Sequence, residues 1–257
     1  MTAAVTLADI RAARSRIEGR VLRSPCPRSI PLSEAVGLDV FCKLDVFQRT
    51  GSFKERGACN ALMLLDKVQK ARGVVAASAG NHALGLAYHG KLLGIPVTVV
   101  MPRFAPLVKV ATCRRLGATV ILEGESFDDA RRLAVEIAER DGLTRIHGFD
   151  DARVIAGQGT MALEILDDVP DADALIVPTG GAGLLAGVAI AAKALRPEIR
   201  IVAVETAAAP SFSASLAAGH PVQVPIRPTL ADGLAVGRVG DLSFALAAPL
   251  VDRVVTV

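Results

Sequence analysis

Lys54, in the run TGSFKERGA at 50–58, supplies an amine able to form an imine with an aldehyde. Asn81, in SAGNH at 78–82, supplies an amide able to hydrogen-bond a phenolic oxygen. The loop PTGGAGL at 178–184 is rich in glycine and followed by an apolar run with helical spacing, so it exposes backbone N–H groups to a phosphate at a helix start. An amine, an amide and a phosphate cradle match the three handles of pyridoxal phosphate. A lone lysine is normally a solvated surface charge, and it is the company of the other two segments that singles this one out.

The strings SFKERGA, SAGNHALG, GQGTMALEIL at 157–166, PTGGAGL and ADGLAVG at 231–237 follow one another in this order. With them the chain resembles, from about residue 7 to residue 257, the fold-type II pyridoxal phosphate enzymes, specifically the threonine ammonia-lyase and serine racemase group. The resemblance implies two mainly parallel sheets with helices on both faces, the tryptophan synthase β-like architecture. It also implies a small domain at 72–148 inserted into a large cofactor-binding domain made of 1–71 and 149–257. Carried over residue by residue, it makes Lys54 the cofactor carrier and the base for the substrate Cα proton. Phe53 and Gly233 would flank the cofactor ring, Asn81 would meet the ring oxygen, and Gly180, Gly181, Ala182, Gly183 and Leu184 would bind phosphate. Ser78, Ala79, Gly80, Asn81 and His82 would receive the substrate carboxylate through backbone N–H groups and the Ser78 hydroxyl.

The reaction so implied is β-elimination, the deamination of L-threonine or L-serine to 2-oxobutanoate or pyruvate plus ammonia. The partners are a small hydroxy amino acid and further copies of the chain, as a dimer or tetramer. Two alternatives stand beside it: a serine racemase-like isomerase, and a truncated, non-catalytic protein that binds pyridoxal phosphate. Ala79 weighs against the first, because the racemases of this group carry a serine hydroxyl there for the second proton transfer and a methyl group transfers none. His82 stands where the cysteine synthase branch has threonine, which weighs against β-replacement; its expected part is to organise the loop rather than to act as acid or base.

The chain departs from the family pattern at four places. Ala182 replaces a glycine, and its methyl group disfavours φ > 0, so a shifted phosphate loop is expected. Asp45 stands where glutamate is more usual. Glu205 matches a metal-binding acid of some relatives, but Ser211 occupies the place of the second carboxylate, so no metal site is expected and Glu205 is read as a solvated or paired strand-end acid. The sequence ends at Val257, ahead of the segment that in the family supplies a hydroxyl or thiol to the pyridine nitrogen; weakened activity and an exposed apolar face are the expectation.

Taken alone, the glycine loop admits other readings. Residues 181–186 satisfy GxGxxA between a predicted strand and a helix, and Glu205 ends the next strand where a ribose-binding acid would stand. Glycines here would equally permit close helix–strand packing. A nicotinamide site leaves Lys54 and Asn81 unexplained.

The elements that must position these residues alternate. Short β-branched runs at 73–77, 97–101, 118–122, 174–177 and 200–204 are each followed by a helical stretch, which defines the α/β class. Thr6 caps an amphipathic helix with Leu7, Ile10, Ala13 and Ile17 on one face, so the N-terminus does not read as a signal peptide. Ser126 with Asp129 forms a variant capping box, and Gly94, Gly117 and Gly142 fall where helices should end. The stretch 206–242, rich in Pro, Gly and Ala, is expected to wrap the larger domain without regular structure.

Composition agrees with this reading. The chain has 257 residues, 51% hydrophobic and 21% charged, enough to bury a sizeable core. A net charge of +3 without a basic cluster gives no footing for nucleic acid. No apolar run reaches the ~20 residues that span a bilayer. Cys26, Cys42, Cys59 and Cys113 show no metal-ligand spacing and are expected to be free thiols of a cytoplasmic protein.

Overall fold

Thr6 and Asp9 cap each other. In the computed structural model, which describes residues 5–257, the Asp9 N–H donates to Thr6 Oγ1 at 3.3 Å and the Thr6 N–H donates to Asp9 Oδ2 at 2.9 Å. This reciprocal pattern satisfies two donors at a helix start. It opens α1 (Leu7–Ile17), whose buried face is Ile10, Ala13 and Ile17, as the spacing predicts. Residues 1–4, the beginning of the expected 1–71 segment, lie outside the described residues. A short arm follows, carrying α2 (Ile30–Val36) and closed by an antiparallel bridge between Arg28 and Phe41. Next come α3 (Lys54–Met63), buried along most of its length, and α4 (Lys67–Arg72).

Strand and helix then alternate through β1 (Val74–Ala77), α5 (Asn81–Leu93), β2 (Val97–Met101), α6 (Leu107–Arg115), β3 (Thr119–Leu122), α7 (Phe127–Asp141) and β4 (Thr144–Arg145). These strands form a parallel sheet in the order β3-β2-β1-β4. The remaining elements are α8 (Ala152–Asp168), β5 (Ala174–Pro178), α9 (Gly183–Leu195), β6 (Arg200–Glu205), α10 (Ser211–Ala218), α11 (Asp241–Ala247) and β7 (Arg253–Thr256). Here the strands build a second parallel sheet, β5-β6-β7. The α/β class with two parallel sheets is therefore the observed one, and each strand read from sequence lies within one residue of its observed limits.

The capping box of Ser126 and Asp129 is present, and Gly94 and Gly142 close α5 and α7 with φ of 66° and 64°. Gly117, at φ 87°, follows α6 by one residue beyond its cap. One expectation needs correcting: the stretch 206–242 is not irregular throughout, because it contains all of α10 and a 3-10 turn at Asp232–Leu234. Its periodicity is weak because the helix is imposed from outside. The Glu205 carboxylate accepts the Phe212 N–H at 2.9 Å and the Ser213 N–H at 3.2 Å, supplying the acceptors that a helix start lacks.

The segment GQG at 157–159 explains how the layers meet. Two residues apart on a helix is a rotation of about 200°, so Gly157 and Gly159 look in nearly opposite directions. Gly157 faces α3, where an added Cβ would sit 2.6 Å from both the Arg56 carbonyl and the Gly57 Cα. Gly159 faces α9 and α1, where it would sit 2.7 Å from the Gly187 carbonyl and from Ile10. Between them Gln158 Oε1 accepts the Gly57 N–H at 3.2 Å. Helix α8 is thus a spacer pressed between the helix that begins at Lys54 and the helix that the glycine loop opens. Gly157→Ala should force α3 and α8 apart and lower stability by about 1–3 kcal/mol, the usual range for overpacking, read as a fall in the urea midpoint at unchanged slope.

Candidate active site

In the first sheet β1 lies between β2 and β4, so the loops leaving the carboxyl ends of β1 and β4 diverge and open a crevice, the place where open α/β sheets bind ligands. The loop after β1 carries Ser78, Ala79 and Gly80 into Asn81, the first residue of α5. The loop after β4 carries His147, Gly148 and Phe149. The two are joined by His82, whose Nε2–H donates to the Ile146 carbonyl at 3.2 Å while Gly148 packs on the ring. Burial, reinforced by the nearby charge of Lys54, pushes the His82 pKa down to about 3. The imidazole is therefore neutral, with its proton on Nε2, and it struts the two loops.

Lys54 opens α3 against the same crevice. Gly85 of α5 allows the approach, since a Cβ there would lie 3.3 Å from the Lys54 carbonyl. Nζ donates to the Gly148 carbonyl at 2.6 Å and lies 5.3 Å from the centre of the Phe53 ring and 5.8 Å from that of Phe149. Among the described residues no carboxylate pairs with it, and burial lowers its pKa to about 8. An amine of this kind is substantially neutral at mildly alkaline pH, the state in which it attacks a carbonyl carbon or accepts a proton.

The glycine loop follows β5. Its N–H groups from Gly180 to Leu184 have no protein acceptor among the described residues; the first helical bond is Ala186 N–H to Ala182 O at 2.8 Å. Phe149 lies under the loop, its ring against Gly181 and its carbonyl against Gly183, where a Cβ would collide. Gly180 abuts Gly233 and Leu234, its added Cβ falling 3.3 Å from the Gly233 carbonyl. The expectation for Ala182 is corrected: despite its methyl group it adopts φ 69°, ψ 0°, a left-handed conformation, and it is the one non-glycine residue with positive φ among those described. Ala182 is 3% exposed within the main core, and that burial offsets part of the ~1–2 kcal/mol cost of the conformation.

A second correction concerns the carboxylate pocket. The Ser78 N–H is spent on the Val100 carbonyl at 3.1 Å, and the Gly80 N–H donates to Ser78 Oγ at 3.3 Å. The Ser78 hydroxyl proton and the N–H groups of Ala79, Asn81 and His82 remain as donors. Glu205, read as a solvated or paired acid, is 1% exposed and accepts from Phe212, Ser213 and Thr256, which removes it as a ribose ligand. Cys59 and Cys113 are buried and Cys26 and Cys42 partly so, all free.

Sequence reasoning passed over three residues at the centre of this arrangement: Gly148 and Phe149, which link Lys54 to the glycine loop, and Lys109, whose Nζ donates to Asn81 Oδ1 at 2.8 Å. The signal available was HGFDD at 147–151, an aromatic between a glycine and an acid just after a strand. Its acid, Asp150, caps α11 by accepting the Ser243 N–H at 2.9 Å, while Ser243 Oγ donates to the Phe149 carbonyl at 2.8 Å.

Unclaimed N–H groups, open space beside Gly80 and Gly233 and a desolvated lysine fit a phosphorylated aldehyde. Fold and site define the class of scaffold that seats such a molecule between two parallel sheets. The chain belongs to the pyridoxal-phosphate dependent enzyme family, whose model matches residues 17–257. It is 47% identical over 253 residues to an L-threonine ammonia-lyase of Thermotoga maritima, a match covering 98% of this chain and 63% of that protein. It is similar in structure to maize serine racemase, with a TM-score of 0.95 at 40% identity over 99% of this chain and 77% of the other. The processed form of threonine deaminase isoform 2 from Solanum lycopersicum gives a TM-score of 0.91 at 40% identity, covering 98% and 73%. The chain thus spans less than two thirds of the length of the Thermotoga maritima relative.

Capture of pyridoxal phosphate by Lys54 needs the neutral amine. Its rate, followed by stopped-flow absorbance, should rise with pH and level off above about 8, where an ordinary lysine would still be rising towards ~10.4. A midpoint near the ordinary value would show that the amine is solvated.

Proposed function

We propose that the chain carries pyridoxal phosphate on Lys54 and catalyses β-elimination of L-threonine or L-serine, yielding 2-oxobutanoate or pyruvate and ammonia. The observation that carries this reading is Lys54 itself: a desolvated amine of pKa about 8 that faces the start of α5 on one side and, through Phe149, the glycine loop on the other. The cofactor supplies an electron sink for the pair left at Cα. The N–H groups of Gly180 to Leu184 hold its phosphate, Phe53 and Gly233 border its ring, and Asn81 meets its ring oxygen. Ser78 Oγ and the N–H groups of Ala79, Asn81 and His82 bind the substrate carboxylate, which fixes the Cα–H bond within reach of Lys54 Nζ. The neutral amine accepts that proton. Departure of the β-hydroxyl with a proton releases water, and hydrolysis of the resulting enamine gives the 2-oxo acid and ammonia.

The likeness to maize serine racemase supports a second reading, isomerisation at the same Cα. Ala79 favours elimination over it, because a methyl group offers no proton to the face opposite Lys54. In this reading the large cofactor-binding domain comprises 1–71 and 149–257 and the small inserted domain 72–148, a division supported by the separation of the strands into two sheets. The cytoplasm as compartment is supported by four free cysteines; no described helix is long and apolar enough to cross a membrane. A homo-oligomer is supported by Ile30, Leu32 and Val36 of α2, all exposed.

Borohydride reduction followed by peptide mapping should place the phosphopyridoxyl group on Lys54, and on L-serine the holoprotein should form pyruvate faster than D-serine. Label on another lysine would overturn the site; D-serine in excess would favour the racemase reading.

A further inference from the structure

Lys109 is the third residue of α6, partly buried, and its ammonium has no ion-pair partner among the described residues. Its Nζ donates to Asn81 Oδ1 at 2.8 Å. As a purely structural arrangement this is unfavourable. The first turn of a helix is the positive end of its dipole and disfavours a cation, and partial burial without a carboxylate adds a desolvation cost. Asn81 itself opens α5, so two helix starts and one ammonium converge on a single carboxamide. A positive field with no protein anion to answer it suits an anionic ligand atom.

We propose that Lys109 is a positioning residue for the cofactor, fixing the Asn81 amide with its N–H end toward the ring oxygen. The inference rests on the reading that pyridoxal phosphate is seated on Lys54. A carboxamide has two unlike ends, an acceptor oxygen and a donor nitrogen, while an ammonium only donates. Lys109 therefore engages Oδ1 alone and turns Nδ2, with its two hydrogens, to the other side. Only that end donates to an ionised ring oxygen; the flipped amide would set one acceptor against another. The ammonium also polarises the amide, making Nδ2–H a stronger donor. Helix α6 is held by its buried Val110 and Cys113, which keeps Lys109 in place from outside the cofactor site.

The test reads cofactor affinity of the full chain from visible absorbance on titration with pyridoxal phosphate, after borohydride mapping of the wild type. No binding, or label away from Lys54, removes the seat and the proposal with it. With the label on Lys54, Lys109→Met should weaken affinity about tenfold. Lys109→Arg, which keeps a donor-only cation, should restore it to within about twofold. In an Asn81→Ala background Lys109→Met should have no further effect, because the route through Asn81 is already cut. Where Lys109→Met fails to fold, Lys109→Gln takes its place, with a smaller loss that Asn81→Ala again abolishes. Affinity of the Met or Gln variant equal to wild type, or the same loss in both backgrounds, overturns the proposal and leaves Lys54 as the carrier.

Discussion

Arg56 is completely buried, and the position of Lys54 depends on it. All of its N–H groups are engaged: Nε and Nη2 donate to Asp45 at 2.7 and 2.9 Å, Nη1 and Nη2 to Glu164 at 2.6 and 2.9 Å, and Nη1 also to Thr160 at 3.2 Å. Lys43 completes the charge balance, with Nζ 2.7 Å from Glu164. Burial alone would raise the Asp45 pKa; the hydrogen bonds and charge of Arg56 outweigh it and hold the carboxyl below its usual range. Such a cluster adds little net stability compared with a well-packed apolar core, but losing one member strands the others in a medium that does not solvate them. The result is conformational: the arm that carries Asp45, the α3 helix and the α8 helix have one permitted arrangement, and the amine two residues before Arg56 is aimed by it.

The reactive geometry is spread over segments far apart in sequence, and each is locked by a different kind of force. Ionic contacts hold α3. A neutral imidazole, His82, ties the loops after β1 and β4. An acid at a helix start, Asp150, fixes the turn that carries Phe149. Steric contact sets the glycine loop on that phenyl ring. None of these locks uses an atom that the proposed chemistry needs, so the amine, the amide and the free N–H groups stay available.

What could be read in advance follows from how local each signal is. The strands, the Ser126 cap and the αL glycines are decided by a few neighbouring residues, and the sequence shows them. Lys54, Asn81 and the glycine loop were legible as types of chemistry, and their meeting place came from resemblance. Strand β4 has only two residues, too few for any alternation, and exists because β1 offers it an edge. Helix α10 was hidden because the acceptor for its first N–H groups, Glu205, ends the preceding strand instead of standing at the N-cap position. The left-handed Ala182 was misjudged because its own preference is overruled by burial. Phe149, within HGFDD, carried only a weak signal and Lys109 none; an aromatic beside a glycine, or a lysine on a helix, becomes informative only when its partner 28 or more positions away is known.

The glycines of α8 have a metrological consequence. In the proposed site the aldehyde and the phosphate of pyridoxal phosphate are fixed to one rigid ring, so the span from Lys54 to the glycine loop would be held to a set value. The chain sets that span by stacking three helices whose contacts at Gly157 and Gly159 have no side chain to compress or rotate. Missing atoms make a stiffer gauge than flexible ones. The tolerance of the gauge is then a property of the helix stack, far from the ligand. Variation at the exposed positions of α2 leaves the calibration untouched, and a single methyl at either glycine rescales it.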